Sequence, residues 1–263
     1  MLDYHPGIDI AGAERSVLDV SEFVSGWKEV LTSVLEAIPE ARGRLLVDLL
    51  NEPDAFALTW NSAGGAVSVR SPSQDPRGLV SSPSRPSLDL LFTSALDELF
   101  PICKECVFLI EGGGHSSVGG VHWGNGFISD EGFASRMGLQ TPNAFFDAAL
   151  GVGGEGGGKS APWLQQLALA PHIYCPRVSG AADCYKGECL FSSLDSSFGR
   201  LTRGNGYCSS SKDDKKCFVF AAVIGELGST LENDKETSCM ASVVDWVSAT
   251  GEFFFSCSGK SFR

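Results

Sequence analysis

Several polar side chains in this sequence directly follow apolar, strand-like segments. They are Asn51, Glu52, Glu111, His172, Tyr174 and Glu226, and His5 ends a short apolar stretch at the start of the chain. In parallel α/β folds the active site lies beyond the C-terminal ends of the strands, so we expect these side chains to share a pocket. Two carboxyl groups that face each other there could divide glycoside hydrolysis between a protonated acid and an ionised nucleophile. Glu52 and Glu226 are the candidate pair.

The apolar pattern predicts the elements that would position these groups. Strands are expected at 1–4, 45–50, 107–110, 167–174 (interrupted by Pro171), 218–224 and 253–255, and helices at 21–38 with Ser21 as N-cap, 88–100, 142–150, 192–201 and 240–250. This alternation predicts a parallel sheet in an α/β fold, within a single domain over residues 1–263. The Ser/Pro-rich stretch 71–87 reads as an exposed insertion. Six strands fall short of the eight that close a (β/α)8 barrel.

Charge and hydropathy exclude some partners. The net charge is -12, which disfavours nucleic acid because an acidic surface repels phosphates. No apolar stretch approaches the roughly 18 residues of a membrane span. A neutral polysaccharide is compatible with this charge, and we expect a monomer.

Nine cysteines are many for a cytosolic protein of this size. Five of them cluster after the fourth predicted strand, at Cys175, Cys184, Cys189, Cys208 and Cys217, and predict a disulfide-braced loop in a secreted protein. The likeliest pairs by spacing are Cys208 with Cys217 and Cys184 with Cys189. Cys103 and Cys106 lack the second pair that a zinc site would need. The chain begins without a signal-peptide pattern, which fits secretion only if the true N-terminus lies upstream.

Four short segments, in order, resemble a known enzyme family. They are LDYH (2–5), LVDLLNEP (46–53), PHIY (171–174) and IGELG (224–228), and WGNGF (123–127) is similar to a fifth segment of some members. Together they resemble glycoside hydrolase family 5, the cellulase family. The resemblance implies a (β/α)8 TIM barrel that lacks its first two strands, and with them the second-strand arginine. The last strand also lacks the usual tryptophan, which puts the activity of this chain in doubt.

The resemblance also implies roles for individual residues. Glu52 would be the general acid/base and Glu226 the nucleophile of a retaining, endo-acting β-1,4-glucanase that needs no metal or cofactor. Asn51 would hold the sugar 2-hydroxyl, and Tyr174 would stabilise the Glu226 carboxylate. A related β-glycanase such as a mannanase fits the same motifs, and a glycan-binding remnant without turnover is the alternative.

Other residues are candidates for substrate contacts. His5 and His172 would line the same pocket, and each could instead be a structural loop residue. Stacking platforms for sugars are expected among Trp60, Trp123 and Trp163. Glu111 competes for the role of the acid, although no motif assigns catalysis to it.

One further motif points to a different function. Residues 153–160 (GGEGGGKS) match the P-loop pattern of nucleotide-binding proteins letter by letter. A P-loop follows a buried strand and opens a helix, whereas the preceding residues 143–150 are predicted to be helical. The segment therefore reads as a glycine-rich loop.

Overall fold

The computed structural model describes residues 1–5, 19–53, 58–60, 86–113, 124–152, 158–175, 185–211, 215–251 and 253–254. Strands within them are β1 (Leu2–Asp3), β2 (Leu46–Asp48), β3 (Val107–Ile110), β4 (Leu167–Leu169), β5 (His172–Tyr174), β6 (Tyr207–Cys208), β7 (Cys217–Phe218), β8 (Ala221–Ile224), β9 (Glu226–Gly228) and β10 (Phe253–Phe254). The α-helices are α1 (Val20–Ala37), α2 (Leu88–Leu99), α3 (Glu131–Met137), α4 (Asn143–Ala149), α5 (Gly187–Ser197) and α6 (Asp234–Thr250). Short 3-10 helices span Pro39–Ala41, Leu164–Gln166 and Gly199–Leu201.

Six of these strands form one sheet in the order β1-β2-β3-β4-β8-β10, and every neighbouring pair is parallel. The order follows the chain, as expected when each strand is joined to the next by a helix on the same side. The prediction of a parallel α/β sheet is confirmed. Closure into a barrel is not seen among the described strands.

The two strands that lead to Tyr174 and Glu226 are each broken before they end. Pro171 lacks an N–H donor and separates β4 from β5, whereas Gly225 separates β8 from β9. Beyond the breaks, β5 and β9 pair with each other in a separate parallel ladder in which His172 lies opposite Glu226. Opposite residues of a parallel pair point to the same face, so this ladder places the two side chains together.

The helices agree with the predicted patterns, with differences at their ends. The N-cap of α1 is Asp19, whose carboxylate accepts the N–H groups of Ser21 and Glu22, so the prediction of Ser21 as N-cap is wrong by two residues. Asp19 is the N-cap because its carboxylate accepts two of the free N–H groups of the first turn. Helix α3 was not predicted. Gly251 ends α6 in the left-handed conformation, as expected for a glycine C-cap.

An aromatic cluster fills the core between the sheet and helices α2 and α4. Trp60, Phe92, Phe145 and Trp163 contact one another with ring centroids 5.8–6.4 Å apart. Trp60 is fully buried and Trp163 is 2% exposed, so neither can be the sugar-stacking platform that the sequence suggested. The indole N–H of Trp60 donates a hydrogen bond to the carbonyl of Gly126, and that of Trp163 donates to the carboxylate of Asp97.

Disulfide bonds join residues both near and far in the chain. Cys208 pairs with Cys217 across the β6–β7 hairpin, as predicted. Cys103 pairs with Cys106, and Cys175 pairs with Cys239 on α6, 64 positions away. Cys189 is disulfide-bonded as well, whereas Cys184 lies outside the described residues.

Two predicted loops fall largely outside the described residues. Of the insertion at 71–87, only positions 86 and 87 are described, and Ser87 caps α2.

Residues 153–157 of the glycine-rich segment are likewise not described. The element before that segment is helix α4, as predicted, and the element after it is a 3-10 turn at Leu164–Gln166 that leads into β4. This is the reverse of the strand-then-helix order of a P-loop.

Candidate functional site

The segments that follow β2 and β3, together with strands β5 and β9, bring one histidine, one tyrosine and three glutamates together. Glu52 lies four residues after β2, Glu111 directly follows β3, and β5 and β9 carry the remaining three, which are His172, Tyr174 and Glu226. The strand ends are held level by backbone hydrogen bonds from Leu49 N to Leu109 O and from Ala170 N to Ile110 O. Contacts among these five side chains bring them into one cluster.

Glu52 has an unusual backbone. Its φ is +46°, in the left-handed region that residues other than glycine rarely adopt. Its N–H donates to Glu111 Oε2 over 2.8 Å, which holds the turn in place. Strained residues of this kind persist only where the surroundings fix them, and they concentrate at functional sites. The turn projects the Glu52 side chain toward β5 and β9.

Tyr174 connects the two candidate catalytic carboxylates. Its hydroxyl donates to Glu226 Oε2 and lies 3.4 Å from Glu52 Oε1. Burial, followed by the hydrogen bond to Glu226, raises the pKa of the Tyr174 phenol far above its ordinary value. The group therefore remains a neutral donor at any physiological pH. The side chains of Glu52 and Glu226 are 17% and 30% exposed, so both can meet a ligand from solvent.

His172 lies behind these groups and is 1% exposed. Its Nδ1 is 3.1 Å from Glu52 Oε1 and 3.9 Å from Glu226 Oε2, and its Nε2 is 3.1 Å from Glu111 Oε1. Burial acts to lower the pKa of His172, but the surrounding carboxylates, Glu111 first, outweigh it and raise that pKa well above its usual value. The surrounding carboxylates therefore favour the protonated form of the imidazole.

Glu111 is fully buried, and sequence reasoning gave it only the role of a competing acid. Burial raises its pKa to about 7, against the opposing effect of His172. Behind it, the buried carboxyl of Asp48 has its pKa raised well above the ordinary value, first by burial and then by Glu111. The place of Glu111 immediately after the apolar strand VFLI put it among the residues expected at the site, but the sequence did not indicate its contact with His172.

Glycines allow the backbone to approach these groups closely. Gly124 has a φ of +75°, and a Cβ there would overlap the Glu111 carboxylate. At Gly225 a Cβ would lie 3.0 Å from His172 Nε2. Beside Gly124, the buried Asn125 donates to the carbonyl of His172 over 2.9 Å. The WGNGF segment thus packs against the site through its described residues.

The remaining residues predicted to bind the ligand, Asn51, His5 and Trp123, differ in where the structure places them. Asn51 is 6% exposed beside Glu52, and its backbone N–H donates to Tyr4 O over 3.0 Å. His5 is largely exposed, and its described partner is Asp3, with Nδ1 3.3 Å from Oδ2. Trp123 lies outside the described residues.

The site offers a donor set that a metal ion could use. One ligand atom from each of Glu52, His172 and Glu226 lies within 4.8 Å of the others. Two observations argue against a resident cation. The Tyr174 hydroxyl occupies the space between the two carboxylates, and the raised pKa of His172 favours its protonated form, which cannot coordinate. The arrangement is better suited to proton transfer and nucleophilic attack.

Comparison with solved structures identifies the fold. The catalytic domain of the major endoglucanase from Xanthomonas campestris pv. campestris matches 99% of this chain with a TM-score of 0.58 at 17% sequence identity. A hyperthermophilic endocellulase from the archaeon Pyrococcus horikoshii matches 99% of it, also with a TM-score of 0.58, at 16% identity. The chain shares its fold with endoglucanases. A complex of an endocellulase from Pyrococcus horikoshii with cellotetraose matches with a TM-score of 0.55 at 17% identity.

The chain spans 61% and 62% of the lengths of the first two of these structures. No protein-family model matches the chain, and comparison with curated protein sequences yields no significant match. Among the described residues, no helix combines the length and the apolar character that crossing a membrane requires.

Proposed function

We propose that this chain carries the catalytic centre of a retaining glycoside hydrolase that cleaves β-1,4-linked glucan. The observation that carries the proposal is the carboxylate pair, in which an oxygen of Glu52 and an oxygen of Glu226 lie within 4.8 Å of each other. Retaining enzymes place their two carboxyl groups about 5–5.5 Å apart, whereas inverting enzymes leave roughly 6.5–9.5 Å for a water molecule. The close pair supports retention.

The proposed mechanism is a double displacement. Glu226, ionised and steadied by the Tyr174 hydroxyl, attacks the anomeric carbon while Glu52 gives its proton to the leaving oxygen. The ionised Glu52 then removes a proton from water, which attacks the anomeric carbon and releases Glu226. Asn51 would hold the sugar 2-hydroxyl during both steps.

One feature supports a glucan as substrate, and a second is compatible with it. The solved structures with the same fold are endoglucanases and endocellulases, one of them with cellotetraose bound. The net charge of -12 is compatible with a neutral polymer. Internal cleavage by a monomeric enzyme is the form that we propose, and a mannan or another β-glycan remains the closest alternative substrate.

We propose further that the six-stranded parallel sheet belongs to a (β/α)8 barrel within a single domain over residues 1–263. The sequential strand order and the shared fold with endoglucanases support this. The disulfide bonds support secretion into an oxidising compartment.

A second candidate function is glycan binding without turnover. It is compatible with one of the solved structures of the same fold, which holds cellotetraose. Binding would need the partly exposed carboxylates of Glu52 and Glu226 as hydrogen-bond acceptors but no proton transfer between them and the sugar. Binding and hydrolysis must therefore be measured separately.

The test is hydrolysis of cellotetraose followed by proton NMR, with binding measured by calorimetry. We expect the β-anomer to appear first. Glu52→Gln and Glu226→Gln should each lower the rate about 10²–10⁴-fold, while Glu98→Gln, a control on the exposed face of α2, should match the parent. Initial release of the α-anomer would contradict retention. Binding of cellotetraose without hydrolysis would favour the second function.

A further inference from the structure

Glu111 is the buried acid of this site to which the proposed reaction gives no role. Its side chain is fully buried, and each of its two oxygens faces a different group. Oε2 accepts the Glu52 N–H over 2.8 Å, and Oε1 lies 3.1 Å from His172 Nε2. Oε1 makes this close ion-pair contact without a well-aligned hydrogen bond, and a buried carboxylate oxygen in that position is costly unless the neighbouring ring carries a positive charge.

His172 links Glu111 to Glu52. Its Nε2 faces the Glu111 carboxylate, and its Nδ1 faces Glu52 Oε1 over the same distance of 3.1 Å. Which ring nitrogen of a histidine keeps its proton is decided by the hydrogen bond that the other nitrogen makes. Here the fully buried partner is Glu111, while Glu52 is partly open to solvent and to ligand.

We propose that Glu111 is a positioning residue that keeps a proton on His172 Nε2 and thereby makes Nδ1 the nitrogen that exchanges a proton with Glu52. The catalytic meaning of this inference rests on the proposed function, whereas the protonation pattern does not. In proton terms, Nδ1–H of the imidazolium passes its proton to ionised Glu52, which leaves neutral His172 with its remaining proton on Nε2, the nitrogen that lies 3.1 Å from Glu111 Oε1. When Glu52 later takes a proton from water, the transfer runs in reverse. No other co-reactant is needed.

The charges around His172 support this assignment. The ring is faced by Glu111 from the end of β3, by Glu52 after β2, and by Glu226 from β9, with the neutral Tyr174 hydroxyl beside it. Asp48 on β2 and Asp3 on β1 lie further behind, and both have a raised pKa, chiefly because of burial. Among the groups that raise the pKa of His172, Glu111 contributes most.

Glu111 also holds the backbone of Glu52. Its Oε2 holds the N–H of Glu52, whose backbone is in the left-handed region at φ +46°. The same side chain therefore orients the backbone of Glu52 and, through His172, controls the proton at its carboxyl. A scaffold role alone would require only the first of these two contacts, so the histidine is what must be measured.

The experiment is ¹⁵N NMR of histidine-labelled protein, which has only four histidines in its sequence. In the parent, we expect His172 to carry Nε2–H at every pH and to lose the Nδ1 proton only well above pH 6.5. In Glu111→Gln, the midpoint of His172 should fall by about one pH unit or more, because a neighbouring opposite charge within 4–6 Å is worth about 1–3 units. Glu236→Gln, which replaces another buried glutamate that bonds Ser229, should leave the midpoint unchanged.

The outcomes are decisive without assuming catalysis. A neutral form of His172 that carries Nδ1–H in the parent would overturn the proposal, and so would an unchanged midpoint in Glu111→Gln. If Glu111→Gln does not fold, Glu52→Gln replaces it. That variant should leave Nε2–H in place, and loss of Nε2–H would contradict the role of Glu111.

Activity supplies an independent readout. If the parent hydrolyses cellotetraose, Glu111→Gln should move the alkaline limb of the kcat profile to lower pH by about the same one unit. An unshifted limb would contradict the exchange between His172 and Glu52. A parent that shows the expected NMR titration without hydrolysis would reject the proposed function and leave the assignment of Glu111 standing.

Discussion

At the scale of single residues, the site is defined by the different contacts that Glu52 and Glu226 make. Glu52 occupies a strained backbone conformation, and Glu111 and His172 each contact it from the buried side. Glu226 is held instead by Tyr174, from a paired strand. The two carboxylates therefore differ in environment, as two groups with different roles in one reaction should.

Replacing Tyr174 by Phe tests this difference. The change removes the hydroxyl that Glu226 and Glu52 share and keeps the ring. We expect kcat on cellotetraose to fall about 10²–10³-fold with little change in KM, as for loss of one preorganised donor. Steady-state kinetics measure this effect, and thermal unfolding should show that the variant remains folded. A rise in KM at constant kcat would assign Tyr174 to substrate binding instead.

At the scale of elements, the sequence predicted the strands whose positions depend on local apolar patterns. The strand over Val107–Ile110 was predicted with its observed bounds, and five other predicted strands form the sheet with it. The short strands β5 and β9 were only partly predicted. Pro171 marked the break between β4 and β5, whereas β9, which follows Gly225, was not predicted as a strand because its three residues are too few to show a pattern.

Contacts between distant elements were the part that the sequence did not reveal. The partner of Cys175 is Cys239, which lies 64 positions away on α6, and proximity along the chain favoured other pairs. The sequence makes Trp60 and Trp163 candidates for sugar platforms, but tryptophan serves both as a platform and as a core residue, and only the packing shows that these two belong to the core. Glu111 was undervalued for the same reason, since its meaning depends on His172 from another strand.

Gly124 offers a test of the packing around Glu111. Gly124→Ala should destabilise the protein by about 1–3 kcal/mol more than Gly138→Ala, because the added methyl group must displace the Glu111 carboxylate. Both glycines have positive φ, but a Cβ at Gly138 would meet nothing within 4 Å, so the control carries only the backbone cost. Urea unfolding gives both values. Equal destabilisation would show that the loop does not press on Glu111.

At the scale of the whole molecule, the acids are divided between surface and interior. The formal net charge of the full sequence is -12, and among the acids that contribute to it Asp48 and Glu111 are buried close to His172. The pKa of Glu111 is raised to about 7 and that of Asp48 well above its usual value, in both cases chiefly by burial. The pKa of His172 is raised as well, by the carboxylates that outweigh its burial.

These shifts predict how stability depends on pH. A group whose pKa is higher in the folded state binds its proton more tightly there, so its contribution is complete below the unfolded pKa and is lost as pH rises through the folded pKa. For Glu111 the loss begins near pH 4.5 and runs to about pH 7, for Asp48 it begins near pH 3.8, and for His172 it begins near pH 6.5. The urea midpoint should therefore be higher at pH 5 than at pH 8. A midpoint that rises from pH 5 to pH 8 would contradict the raised pKa values of the buried acids.

The central claim is that Glu52 and Glu226 have separate roles in a retaining reaction. Azide rescue with an aryl β-cellobioside that has a good leaving group tests it most directly. In Glu52→Ala, the first step survives because little protonation is needed, and azide should then release a β-glycosyl azide with retained configuration. In Glu226→Ala, azide would take the place of the nucleophile, and any product should be the α-glycosyl azide. Finding the two configurations exchanged would reverse the roles, and finding both variants fully active without azide would contradict the glycosidase assignment.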